Sequence, residues 1–172
     1  GLRGLESQAP GSIKQALALV HGTTLVINAV IERKGAVTGL ITTRGFRDVL
    51  EIGREKRYDG NDLQITFPEP LVARPLRLEV DERIHTSGKV LVALDERSVE
   101  KALASLVAQG AKSIAVCLIN SFANPAHEQL IRTIAEGMRA GFRLSLSSEI
   151  CPEIREYLRV STTVINAYIR PQ

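Results

Sequence analysis

Short apolar runs that alternate with helically spaced apolar stripes predict an α/β fold: a mainly parallel sheet flanked by helices, with an added β-hairpin. Three observations carry the prediction. Ile114 to Ile119 is one continuous apolar run, the pattern of a strand covered on both faces. Strand, loop and helix signals follow one another repeatedly, as parallel sheets require. The chain of 172 residues is 44% hydrophobic and 24% charged, but only 4% aromatic with no Trp, so it has the size and composition of one domain with an aliphatic core.

The elements can be taken in order. Ala16 to Val20 reads as a strand ending at His21-Gly22-Thr23-Thr24. Leu25, Val26, Ala29 and Val30 then recur at helical spacing up to Arg33-Lys34-Gly35, with Gly35 expected just past the helix end. Val37 to Thr42 is a second strand, followed by the loop Thr43-Arg44-Gly45 and a helix over Phe46 to Gly53. Arg54 to Pro75 contains Tyr58-Asp59-Gly60-Asn61-Asp62 and two prolines around Glu69, which excludes a central strand and predicts a surface excursion. Leu76, Leu78, Val80 and Ile84 alternate with charged residues and are separated by Thr86-Ser87-Gly88-Lys89 from Val90 to Leu94, predicting one half-exposed antiparallel hairpin.

Asp95 is placed to cap a helix striped by Val99, Leu103, Leu106 and Val107 and ending near Gly110. After the Ile114 to Ile119 strand, Asn124-Pro125 marks the start of a helix with Leu130, Ile131, Ile134 and Met138 on its apolar stripe. Arg143 to Ser148 is a last strand, and Pro152 opens a last helix through Tyr168, in which Ser161-Thr162-Thr163 marks a kink, a packing site or a contact surface. Residues 1–15 read as a lead-in to a region over 16–172, with a lobe boundary within 54–75.

Composition excludes several classes. The net charge is +3 with both signs interspersed, so no basic face for nucleic acid is expected. Cys117 and Cys151 are too far apart for a CxxC or metal pattern and read as reduced thiols. No metal site is expected: the second histidine of an HExxH helix starting at His127 would be residue 131, which is Ile131. No apolar stretch reaches the roughly 18 residues that cross a bilayer, and no membrane contact is expected; a cytoplasmic location follows. A chain that starts at Gly1 is expected to be a piece of something longer.

Ligands of parallel sheets bind beyond the carboxyl ends of the strands. His21-Gly22-Thr23-Thr24 fits that place, with a glycine for close backbone approach, two hydroxyls and a helix N-terminus. The same residues also read as an N-cap and a strand-end histidine. Thr42-Thr43-Arg44-Gly45-Phe46 is a second loop of this type, where Arg44 either forks onto an anionic group or is solvated. Both loops are expected at one edge of the sheet, and no catalytic residue is identified.

His21-Gly22-Thr23-Thr24 with Asn28, then Lys34-Gly35-Ala36 and Leu40-Ile41-Thr42-Thr43-Arg44-Gly45-Phe46-Arg47-Asp48-Val49-Leu50-Glu51-Ile52-Gly53-Arg54, resembles the N-terminal region of the hydantoinase/oxoprolinase family, of the hydantoinase A type. Asp81-Glu82-Arg83, Asn124-Pro125-Ala126-His127-Glu128, Ser147-Ser148-Glu149 and Ser161-Thr162-Thr163-Val164-Ile165-Asn166-Ala167-Tyr168 follow in the family's order. The resemblance implies part of an actin-like (ribonuclease H-like) ATPase domain, from an ATP-dependent hydrolase that opens five-membered cyclic amides such as hydantoins or 5-oxoproline through phosphate activation of the carbonyl. It also implies ATP and Mg²⁺ in the full-length parent, and a second subunit or domain of the hydantoinase B type.

On this resemblance His21, Gly22, Thr23, Thr24 and Asn28 form a substrate- or phosphate-binding loop supported by Thr42, Thr43 and Arg44. The family's Asp-x-Gly-Gly-Thr phosphate hairpin is missing here, so this chain alone is expected to retain no ATP or Mg²⁺, to be inactive and to self-associate. The alternatives are a subunit of an acetone- or acetophenone-type carboxylase and a non-catalytic assembly domain.

Overall fold

The computed structural model describes residues 24–54, 67–138 and 140–170, together with positions 8 and 64. Its centre is a four-stranded, all-parallel sheet ordered β2-β1-β5-β6, made of β1 (Thr38–Thr43), β2 (Arg77–Val80), β5 (Ser113–Cys117) and β6 (Arg143–Leu146). β3 (Arg83–Ile84) and β4 (Val90–Val92) form a separate antiparallel pair. The helices are α1 (Leu25–Ile31), α2 (Val49–Ile52), α3 (Glu96–Ala108), α4 (Ala126–Met138), α5 (Ser147–Ile150) and α6 (Glu156–Ile169). A mainly parallel sheet between helices, plus a hairpin, is the architecture the sequence predicts. The strand expected over Ala16–Val20 and much of the boundary expected within 54–75 lie outside the described residues.

Strand alternation distributes the core over two faces of the sheet. Ile41, Ile114, Val116 and Leu146 pack with Val99, Leu103 and Leu106 of α3 and Ile131 of α4. Leu40, Ala115 and Cys117 pack on the other face with Val160, Val164 and Ala167 of α6. The central strands β1 and β5 are buried at every position, which is why Ile114–Ile119 reads as an uninterrupted apolar run. Burial pushes the Cys117 thiol up to about 12, so it behaves as a small apolar side chain. Where β1 crosses α3 there is no room for a side chain: a Cβ on Gly39 would stand 2.8 Å from Leu106.

Several boundaries differ from the sequence-based expectation, each for an identifiable reason. The Leu76–Ile84 segment is not one hairpin strand. Arg77–Val80 joins the parallel sheet beside β1, the chain leaves the ladder at Asp81-Glu82, and only Arg83–Ile84 pairs with β4. Both departing carboxylates bind side chains at the end of the sheet, as described below. Ser147 and Ser148 start α5 instead of ending a strand, and the last helix begins at Glu156 instead of Pro152.

After α1 it is Arg33, at φ 55°, that adopts the left-handed turn; Gly35 packs under the ring of Tyr168, which a Cβ would overlap. In α6, Thr163 is fully buried and its hydroxyl donates to the Arg159 carbonyl at 2.7 Å, while Ser161 donates to Leu158 at 3.1 Å. Thr163 is therefore a packing site, and the hydroxyls of Ser161 and Thr163 are satisfied by their own helix, while Thr162 is exposed. Asp95 caps α3 as expected, accepting from the Arg97 N–H at 3.1 Å, and Asn124 accepts from the Ala126 N–H at 3.0 Å to open α4.

Candidate functional site at the carboxyl end of the sheet

The register Thr42↔Cys117 and Val116↔Leu146 brings Thr43, Leu118 and Ser147 to the rim where the three strands end. The Thr43 hydroxyl accepts the Ile119 N–H at 2.9 Å and donates to Glu82 Oε1. Glu82 Oε2 takes His127 Nδ1 at 2.7 Å. Thr43, Glu82 and His127 are all buried.

Alongside lies a second carboxylate. Glu128 Oε1 accepts the Leu118 N–H at 3.0 Å and the Ser147 hydroxyl at 2.6 Å, and Oε2 accepts the Ser148 N–H at 2.8 Å. Ser147 has one proton and gives it to Glu128, so in the 2.9 Å contact with Ser121 it is Ser121 that donates. Arg159 approaches from α6, donating to the Leu118 carbonyl at 3.0 Å and the Glu153 carbonyl at 2.8 Å, with its guanidinium 5.4 Å from the Phe122 ring centre. Side chains thus pair with the main-chain N–H groups of Leu118, Ile119 and Ser148 and with the Leu118 carbonyl at this rim.

The residues singled out from the sequence divide between this rim and the surface. Thr42 and Thr43 are buried at the end of β1, and Thr42 donates to the Cys117 carbonyl at 3.0 Å across the strand pair. Arg44 is exposed and bonded to Asp81 through Nε and, at 2.6 Å, through Nη2. That pair raises the guanidinium and holds the Asp81 carboxyl below the usual carboxylate range, the hydrogen bonds being the main cause. The fork of Arg44 is thus already filled by a carboxylate of this chain. Gly45 turns at φ 88° and gives its N–H to Glu79 at 2.8 Å.

Thr24 stands at the N-terminus of α1, exposed and without a capping hydrogen bond from its side chain. Asn28 reaches it at 3.5 Å. Among the described residues no hydrogen bond connects this pair to the Thr43 rim. His21, Gly22 and Thr23 lie outside the described residues. His85, in the hairpin turn, accepts the Ser87 N–H at 3.2 Å.

Ser147, with Ser148 and Glu149, follows a strand in the sequence and is placed to reach a shared cleft, whereas Glu82, His127 and Glu128 are not singled out as a site, although two signals are present. Glu82 falls in phase with Val80 and Ile84, both buried, so a carboxylate occupies an apolar register. His127 and Glu128 stand four and three residues before Ile131 and share the buried face of α4 with it. A polar group in a buried phase is the informative exception to apolar patterning.

The rim also bears on what it can hold. Among the described residues no group of three or more His, Cys, Asp or Glu side chains is arranged to hold a metal ion. Each oxygen of Glu82 and Glu128 is already hydrogen-bonded, and Arg44 is paired with Asp81. These side chains are thus already engaged within the chain. What they offer is a rigid, water-poor frame with one histidine oriented by a carboxylate.

An aliphatic parallel sheet between helices, its carboxyl end closed by buried Thr, Glu and His side chains, defines an α/β domain. Residues 2–139 match the hydantoinase/oxoprolinase N-terminal region, and the chain belongs to that family. It is 36% identical over 154 residues to the caprolactamase subunit alpha of Pseudomonas jessenii, covering 88% of this chain and 22% of that one. The crystal structure of the ATP-dependent caprolactamase from the same organism superposes on 99% of this chain and 26% of its own with a TM-score of 0.84 at 32% identity. The acetophenone carboxylase gamma subunit of Aromatoleum aromaticum is 36% identical over 163 residues, 87% of this chain and 22% of that one. The 5-oxoprolinase of Saccharomyces cerevisiae is 34% identical over 190 residues, 94% of this chain and 14% of its own. The chain thus spans a quarter or less of most of these relatives.

Proposed function

We propose that this chain is the N-terminal region of an ATP-dependent hydrolase that opens cyclic amides of the hydantoin, 5-oxoproline or lactam type. The observation that carries the reading is the superposition on caprolactamase over nearly the whole chain. The similarity to 5-oxoprolinase, a second relative named for a cyclic amide, supports it. In this proposal the sheet belongs to an actin-like ATPase domain. ATP and Mg²⁺ are held in the complete enzyme by segments other than the described residues, which offer no ligand set for the metal. Thr42 and Thr43 build the end of β1, and His21 to Thr24 with Asn28 are proposed as the substrate loop.

Two relatives are named as subunits, alpha of caprolactamase and gamma of acetophenone carboxylase, which supports a second subunit of the hydantoinase B type as partner. A cytoplasmic enzyme suits this reading. No helix among the described residues is long and apolar enough to cross a membrane.

A ketone carboxylase is the second reading, favoured by the 36% identity to the acetophenone carboxylase subunit. The deciding assay uses the complete enzyme with its partner subunit and follows phosphate release. One set of reactions contains 5-oxoproline, hydantoin or caprolactam, and the other contains acetone or acetophenone with bicarbonate. Release that depends on a cyclic amide and yields the ring-opened acid is the expected outcome. Release that depends on ketone plus bicarbonate overturns it. The 172-residue chain alone is expected to release no phosphate in either set.

A further inference from the structure

His127 brings to the rim a ring nitrogen that the packing does not use. His127 is 7% exposed, and its Nδ1 is engaged by Glu82 at 2.7 Å. Glu82 in turn is fixed by Thr43, whose hydroxyl is oriented by the Ile119 N–H. A carboxylate only accepts hydrogen bonds, so in the Nδ1–H tautomer that faces Glu82 it is Nε2 that keeps the lone pair. Nε2 has no hydrogen-bond partner among the described residues.

A histidine that only filled space would not need a buried carboxylate to fix its tautomer. Removing that carboxylate from water is costly, and it stays favourable because both oxygens are hydrogen-bonded. The second carboxylate, Glu128, points the other way, to Leu118, Ser147 and Ser148, and so does not compete for the ring.

We propose that His127 is the proton acceptor of this site through Nε2, with Glu82 and Thr43 as positioning residues that hold its tautomer and direction. This proposal rests on the cyclic-amide reading above. In ring opening, a water proton moves to Nε2 as the water oxygen bonds to the carbonyl carbon. The ring C–N bond breaks, and the imidazolium returns the proton to the departing nitrogen. The imidazole ends as it began; the phosphoryl group that activates the carbonyl oxygen stays on the new carboxyl and leaves as inorganic phosphate to a second water, so two waters are consumed for each amide opened and ATP cleaved.

The test has two readouts. In the complete enzyme, His127→Asn keeps a donor near the Nδ1 position but removes the acceptor. It should lower kcat about a hundredfold or more while KM changes less than about threefold, the range expected for loss of one general base. Thr43→Val should lower kcat in the same direction and Thr43→Ser should restore it, which keeps the proposal open to refutation if His127→Asn does not fold. Independently of activity, ¹⁵N chemical shifts of the His127 ring should show Nδ1 protonated and Nε2 bare in the wild type, and Glu82→Gln should mix the tautomers.

An Nε2–H tautomer in the wild type, or a His127→Asn enzyme within threefold of wild-type kcat, overturns the proposal. A wild-type enzyme that ignores cyclic amides but shows the Nδ1–H tautomer overturns the cyclic-amide reading and supports the His127 arrangement. The two failures are thus distinguishable.

Discussion

Asp81 and Glu82 are chain neighbours with the same charge, yet they stand in opposite environments. Asp81 lies at the surface and pairs with an exposed Arg44. Glu82 is buried and binds a hydroxyl and an imidazole. The same contrast separates Glu149, exposed and paired with Arg132, from Glu128, which is fully buried and bound to two main-chain N–H groups and a serine. Surface pairs gain little, because water already solvates both partners and salt screens them. A buried carboxylate has no such alternative, so every donor around it becomes structurally obligatory. The difference teaches where geometry is held rigid: at the carboxyl end of β1 and β5, and not along the ion-paired surface.

The strongest way to break this comparison is Glu128→Ala. It removes the acceptor for Leu118 N–H, Ser147 Oγ and Ser148 N–H at once, leaving two buried donors and one half-buried donor unpaired. With about 1–3 kcal/mol for each buried group left unpaired and partial relaxation, the expected loss is about 3–5 kcal/mol in urea unfolding. Glu128→Gln should fall between, because its amide nitrogen faces a donor at one of the two oxygen positions. A loss under about 1 kcal/mol for Glu128→Ala would show that the rim is as forgiving as the surface.

Much of this fold is legible in the sequence, for reasons that also mark the limit. β5, α3 and α4 announce themselves because their burial is periodic and local: Ile114 to Ile119 without interruption, and Val99, Leu103 and Leu106 on one stripe. Thr42 is legible as a strand-end residue for the same reason, whereas Thr43, which the sequence assigns to the loop, is the last residue of β1. The break at Asp81-Glu82 is not, because what ends β2 is a set of partners 37 to 45 residues away at Arg44, Thr43 and His127. Alternation alone continues straight through it. His127 and Glu128, tested against a zinc spacing, fail that test, and only the three-dimensional junction of α4 with the β2–β3 turn reveals their use. Arg44 shows the converse: its loop is legible, but its partner is not, since Asp81 becomes a neighbour only through the parallel pairing of β1 with β2.

A milder substitution sharpens the contrast between hydroxyl and carboxylate. Thr43→Val keeps the shape but leaves the Ile119 N–H without its acceptor and Glu82 without one donor. A loss of about 1–3 kcal/mol is expected, whereas Thr43→Ser should cost less than about 1.5 kcal/mol, chiefly for the missing methyl group. Equal losses for the two variants would place the contribution of Thr43 in its methyl group and not in the hydrogen-bonded chain to His127.

The smallest effect is expected at Glu149. Hydrogen bonds from Arg132, both at 2.6 Å, hold its carboxyl below the usual range, while the pair stays substantially exposed. A carboxyl with a depressed folded-state pKa contributes stability above its unfolded pKa, and loses that contribution as pH falls through the folded value. Glu149→Gln should therefore be less stable than the wild type near pH 7, and the difference should vanish in acid below the depressed value. Solvent screening limits the difference to about 0.2–1 kcal/mol at low salt, and 1 M salt should reduce it further. Urea unfolding of both proteins between pH 7 and pH 3 reads the effect directly. A difference that grew as pH fell, or that survived high salt unchanged, would mean that this surface pair behaves like the buried rim.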